Sequence, residues 1–233
     1  MRTKLIMAML FVSSSRVAAL QQAPDLTLLR RGTDSMSIAL VRNGTETPAG
    51  QLWDNLSDIS FGGGPALRRI YRTVNQIYGP HAETTVVRIP ELSLLSRRTY
   101  SQFASDSLVE SGDSIRGWRE AGQRGRVQVS RLADRAAIDG SLFDALVRAA
   151  PLAPGYRIEA RAYVGSQDTT AVLTATVSGT AAIRRRDMRV GDTWVVEMDF
   201  LGLSTTLWID KGTRDLVRQV IHLSRETQIL MQR

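Results

Sequence analysis

Along Trp194-Val195-Val196-Glu197-Met198-Asp199-Phe200, large apolar side chains occupy every second position. Trp194, Val196, Met198 and Phe200 share one face, and Val195, Glu197, Asp199 and Leu201 share the other. A period of two is that of a strand with one buried face. Runs of this kind, punctuated by Gly, Pro, Asn or Asp, fill most of the chain. Residues 35–42, 49–56, 82–89, 94–103, 114–120 and 126–132 read as strands, as do 156–164, 169–177, 193–201, 205–209, 216–223 and 228–231. Asn43-Gly44-Thr45 joins the first two as a hairpin, because Asn-Gly suits a turn with positive φ. Phe61-Gly62-Gly63-Gly64-Pro65 reads as a loop.

Two segments depart from the simple alternation. In 67–78, Leu67, Ile70, Tyr71, Val74, Ile77 and Tyr78 fit a helical stripe, while Ile70, Val74 and Tyr78 also share one face of a strand. The strand is preferred, since strands flank it on both sides. In 141–149, Leu142, Phe143, Leu146 and Val147 form an apolar helical stripe, with Asp139 or Ser141 as cap and Pro151 and Pro154 as the stop. The expected fold is therefore mainly β with one mid-chain helix, a curved antiparallel meander that is open or a half-barrel. No low-complexity linker divides it.

The N-terminus reads as an export signal. Arg2 and Lys4 precede the apolar run Leu5 to Val12, and Val17-Ala18-Ala19 offers the small residues a signal peptidase recognises. The run is far shorter than the roughly 20 residues of a spanning helix. The expected organisation is a signal peptide over 1–19, a flexible segment over 20–32 and one β-rich domain over 33–233, with a periplasmic or secreted location. No transmembrane anchor is expected after cleavage. The chain has no cysteine, which removes disulfides, thiolate catalysis and zinc–cysteine sites together.

The formal charge of +7 falls when Arg2, Lys4 and Arg16 leave with the signal, giving 27 basic against 23 acidic groups, or +4. Almost all the bases are Arg, in clusters such as Arg68-Arg69, Arg97-Arg98 and Arg184-Arg185-Arg186. These are read as solvated surface, with anionic lipid headgroups second. Nucleic acid is not expected as a partner, because aromatic residues do not interleave with the clusters as a single-strand binding face requires.

Reaction chemistry finds little support. His81 and His222 have no second His or Cys at ligand spacing. Gly112-Asp113-Ser114-Ile115 lies between strands, and no Gly-x-Ser-x-Gly elbow exists. Gly62-Gly63-Gly64 lacks the Lys-Ser/Thr of a phosphate loop. Glu197 and Asp199 share a strand face without a sugar-stacking platform and read as solvated. No catalytic residue, metal site or cofactor is expected.

Gly191-Asp192-Thr193-Trp194-Val195-Val196 and Leu207-Trp208-Ile209-Asp210-Lys211-Gly212-Thr213-Arg214-Asp215-Leu216-Val217-Arg218 resemble the closing hairpins of a family of exported bacterial β-proteins. That family is similar to the LolA-type lipoprotein carriers, whose curved antiparallel sheet wraps as a half-barrel around a helical plug. The resemblance implies a LolA-like fold and carries no catalytic residues. Two functions follow. In the first, the apolar face of Trp194, Val196, Met198, Phe200 and Trp208 binds a lipid or other apolar ligand, with arginines meeting an anionic head. In the second, the chain is a structural or interaction protein of the cell envelope, filled by its own side chains and pairing with a protein partner through its edges.

Overall fold

The computed structural model describes residues 24–122, 125–184 and 190–233, so the expected signal peptide and Arg185-Arg186 lie outside the described residues. Fifteen strands form one sheet. The first half contributes β1 (Gly32–Arg42), β2 (Thr45–Phe61), β3 (Gly64–Asn75), β4 (His81–Arg88), β5 (Leu94–Ser101), β6 (Ala104–Ser111), β7 (Ser114–Ala121) and β8 (Arg126–Leu132). After the two-residue β9 (Ile138–Asp139) and the helical segment come β10 (Arg157–Val164), β11 (Thr169–Arg184), β12 (Val190–Phe200), β13 (Leu203–Asp210), β14 (Leu216–His222) and β15 (Thr227–Gln232). The ambiguous segment 67–78 is strand as far as Asn75.

The spatial order is β8-β7-β6-β5-β4-β3-β2-β1-β15-β14-β13-β12-β11-β10-β9. Two meanders therefore diverge from a central seam where β1 pairs with β15, from Ser37↔Gln232 to Arg42↔Thr227. Among the described residues, only β9 runs parallel to its neighbour. Chain length forces this sheet to curl. Laid flat, fifteen strands would span about 67 Å from edge to edge. Yet β8 ends at Leu132 and β9 begins at Ile138, a connection that reaches about 21 Å at most. Register shifts at Ile38/Ala39 in β1, Val86/Val87 in β4, Val177/Gly179 in β11 and Trp208/Ile209 in β13 mark bulges that add twist and bending.

The sheet is not closed, but side chains bridge the gap between its ends. Leu94, Leu108, Ile115 and Val129 pack with Ala137 and Tyr163. Arg131 donates to the carbonyl of Asp168 at 3.1 Å, and Arg119 to that of Ser166 at 3.2 Å.

The helical segment lies inside the curl. A 3-10 turn, Gly140–Leu142, leads into α1, Phe143–Ala149, all of whose residues but Phe143 are buried. Asp139 supplies the cap, accepting from the Ser141 amide at 2.9 Å. A side chain at Gly140 would meet the Tyr163 carbonyl at 2.9 Å and the Phe200 ring at 3.2 Å, so the entry to the segment is held close against β10 and β12. Within the segment 20–32, expected as flexible, Leu26–Leu28 form a 3-10 turn; Leu26 and Leu29 enter the core, and the Asp25 amide donates to the Ala149 carbonyl at 2.8 Å. Among the described residues no helix is long and apolar enough to cross a membrane.

Candidate ligand-binding cavity

The face expected from the alternation of β12 points inward. Val196 and Met198 are buried in the main core, and Trp194 and Phe200 pack against it. Trp208 does not join them. The β12–β13 register pairs Val195 with Trp208 and Val196 with Leu207. Because directly paired residues share a sheet face, Trp208 lies on the outer side, against Ala39, Val41, Val220 and Leu230, with the Arg218 guanidinium 4.9 Å from its ring. Glu197 and Asp199 are on the outer face and exposed, as expected.

Between the helical segment, β3–β4 and β12–β15 lies a cavity of about 260 Å³. Met198, Phe200, Leu203, Ile221 and Met231 form its apolar wall, with Phe143 from the helix. Arg69, Tyr71, His81, Glu83, Ser141 and Asp144 form the opposite wall, and Thr205 and Gln219 complete the lining. A second lobe of about 330 Å³, bounded by Ile38, Ile77, Tyr78, Phe103 and Ile229 among others, adjoins it. Tyr71, His81, Ile221 and Met231 line both. Together the lobes fall in the ~300–1,000 Å³ range of small-molecule sites, mostly apolar with a few convergent polar groups.

The polar wall rests on two buried arginines, which corrects the expectation that the Arg clusters are solvated. Arg69 and Arg97 are 6% and 8% exposed. In a strand one of any two adjacent residues must face inward, so each Arg-Arg pair sends one member into the interior. Arg69 holds Asp54 in a two-pronged pair, Nε to Oδ1 at 2.8 Å and Nη2 to Oδ2 at 2.9 Å. Its Nη1 donates to Asp144 Oδ1 at 2.7 Å and to the Ser141 carbonyl. Arg97 stands among three carboxylates: Glu83 at 2.9 Å, Asp106 at 3.3 Å and Asp139 at 3.5 Å. The Asp106 contact is an ion pair without the alignment of a hydrogen bond, and neither of its oxygens has a hydrogen-bonded partner.

This environment separates the carboxylates into two groups. Burial, the largest single influence, pushes Glu83 and Asp144 up, but the combined charges and hydrogen bonds around them, led by Arg97 for Glu83 and by Arg69 and Arg148 for Asp144, hold both below the usual carboxylate range. For Asp106 and Asp139 burial wins over Arg97, and both sit above that range. His81 titrates below an ordinary histidine, chiefly through burial, with Arg97 adding and Glu83 and Asp106 opposing. The imidazole is therefore uncharged at neutral pH.

The Ser141 hydroxyl donates to Asp139 Oδ1 at 2.6 Å and lies 3.3 Å from the Thr85 hydroxyl, so a carboxylate and a threonine engage it and no imidazole activates it. Among the described residues, no group of three or more His, Cys, Asp or Glu is placed to hold a metal. His222 is on the outer side, 3.2 Å from the Thr206 hydroxyl. The buried polar wall was missed by hydropathy; the adjacent arginines on strands were the available signal. Searches with family models, among curated proteins and among solved structures found no match to this chain.

Proposed function

We propose that this chain is a non-enzymatic binding or carrier protein for a lipid-like or other apolar ligand, held between the helix and the curved sheet. The observation that carries the reading is the two-lobed cavity, walled by Met198, Phe200, Ile221 and Met231. A protein whose interior served only as scaffold would fill that space with its own side chains. The LolA-type resemblance supports the same reading, since an open half-barrel around a helix is its expected layout. Of the five residues expected to form the apolar site, Met198 and Phe200 line the cavity, Val196 lies behind them with 0% exposure, and Trp194 packs beside the core beneath Lys211. Export to the periplasm or beyond follows from residues 1–19 and belongs to the same proposal.

The test is mass spectrometry of an organic extract of the native protein, purified without detergent, joined to displacement of a fluorescent alkyl probe. A stoichiometric apolar molecule and saturable probe binding are expected. Phe200→Ala should weaken the probe about tenfold, the scale of one lost apolar contact surface, while the protein stays folded. A folded protein that is empty and binds no alkyl probe would overturn the proposal.

A further inference from the structure

We propose that the ligand of this cavity carries a cationic, hydrogen-bond-donating head, such as a primary amine on an apolar body, and that anionic amphiphiles are excluded. The inference rests on the reading of the cavity as an apolar-ligand site and names the class of head group it accepts.

The arginine that reaches the cavity is almost fully engaged, with one donor left for an anion. Arg69 Nε and Nη2 are spent on Asp54 at 2.8 and 2.9 Å, and Nη1 on Asp144 at 2.7 Å and the Ser141 carbonyl. Four of the five donors of a guanidinium are thereby used. The charges that line the space are Arg69 against Glu83 and Asp144, and His81 is neutral. The lining thus carries one more negative than positive charge. Behind it two cations, Arg97 and Arg148, stand against three further carboxylates, Asp54, Asp106 and Asp139. An entering carboxylate or phosphate would lose its water against a wall of net like charge, with chiefly neutral donors such as Tyr71, Thr205 and Gln219 to replace that water. An ammonium meets the reverse conditions.

Acceptor geometry points the same way. Glu83 accepts from Thr85 through Oε1 at 3.0 Å and, through Oε2, from Arg97 at 2.9 Å and Thr99 at 3.5 Å, which leaves a lone pair on Oε1 of a carboxylate with about four acceptor sites. His81 Nε2 stands 3.9 Å from Glu83 Oε2, too far for a hydrogen bond between them. An ammonium in the cavity can donate to the remaining Oε1 lone pair at about 2.9 Å. The apolar wall of Met198, Phe200 and Met231 then faces the rest of the ligand.

Titration calorimetry of the full chain with dodecylamine, 1-dodecanol and dodecanoate, each below its micellar concentration, tests this at constant chain length. The amine should bind about tenfold or more tighter than the carboxylate, with the alcohol between them. Glu83→Gln should erase most of the amine's advantage over the alcohol. His81→Lys, at a half-buried position that demands less of the fold, should do so through a fixed cation, with alcohol binding retained. If the carboxylate binds as tightly as the amine while the alcohol also binds, the head-group assignment falls and the apolar-ligand reading stands. If the folded protein binds none of the three, both fall.

Discussion

The two halves of the sheet have inner faces of contrasting chemistry. From β3 to β6 the inward residues include Arg69, Thr73, Glu83, Thr85, Arg97, Thr99 and Asp106, all buried. From β11 to β15 they include Leu173, Ala175, Val177, Val196, Met198, Leu207, Ile209, Ile229 and Met231. The apolar half stabilises without direction: each large aliphatic side chain buried contributes roughly 1.5–3 kcal/mol, whatever the angle of its neighbours. The polar half gains little net energy, because desolvation offsets most of the Coulomb attraction of buried pairs. What it supplies is position. Arg69 grips the Ser141 carbonyl and Asp144, and Arg97 reaches Asp139, the helical cap. The helix is thus docked to one half by directional bonds and to the other by packing, and the cavity lies between the two kinds of wall.

The largest effects should come from damaging each half in its own terms. Arg97→Ala leaves Glu83, Asp106 and Asp139 buried around no cation and should destabilise by about 3–5 kcal/mol. Leu207→Ala, at a side chain with 0% exposure, removes buried methyl groups and opens a void, for about 2–5 kcal/mol. Denaturant unfolding measures both, and pH tells them apart. Acid protonates the stranded carboxylates, so the Arg97→Ala deficit should shrink as pH falls toward 4. The Leu207→Ala deficit should stay constant. Equal pH dependence in the two variants would show that the halves do not differ in the way described.

Smaller effects follow from the titration of the polar half. Asp106 and Asp139 lie above the usual carboxylate value in the folded state. Between that value and their raised values the folded state binds more protons, so mild acidification through that window stabilises. Glu83 and Asp144 lie below their usual values. There the unfolded state binds more protons, and stability falls as pH drops through the usual range toward their lowered values. His81, held below its usual value, loses stability over the same upper window, so in a His81→Gln background stability should rise slightly on mild acidification and then fall. Asp106→Asn should flatten the rise and leave the fall. A stability curve that only falls from neutrality downward in the His81→Gln background would contradict this ordering of the two pairs.

The same contrast explains what was legible in the sequence. In the apolar half, alternation exposes the inner face directly, as Trp194, Val196, Met198 and Phe200 show. In the polar half it points the wrong way. On β3, Val74 and, beyond its end, Tyr78 are 60% and 45% exposed, while Arg69 and Thr73 face inward. Hydropathy assigns such arginines to solvent because it weighs side chains singly, whereas Arg69 and Arg97 are buried together with Asp54, Glu83, Asp106, Asp139 and Asp144 from distant strands and the helical segment. Only the fold assembles that set. The helix and the Asn43-Gly44 turn were legible because their signals are local: a cap, a stripe and a proline stop for the one, and positive φ at 48° and 78° for the other. Curvature was less so, since it follows from the short β8–β9 connection within a sheet whose seam joins the chain's two ends.

Trp208 marks the smallest expected effect and the sharpest test of face assignment. Its side was hidden by the turn before it. Leu201 and Gly202 form a two-residue link with φ of 54° and 77°, pairing Phe200 with Leu203. Leucine rarely occupies that left-handed region, so residue 201 reads as strand and the register between the two strands is lost. With the link counted as two residues, Trp208 falls opposite Val195 and faces away from the ligand. Trp208→Phe should then cost no more than about 1 kcal/mol, since the outer cluster with Val220 and Leu230 keeps an aromatic ring and only part of the Arg218 contact weakens. Alkyl-probe affinity should be unchanged within twofold, or about 0.4 kcal/mol, against the roughly tenfold loss for Phe200→Ala. Comparable losses in the two variants would mean that the ligand reaches the outer face, and that the inner cavity is not where it binds.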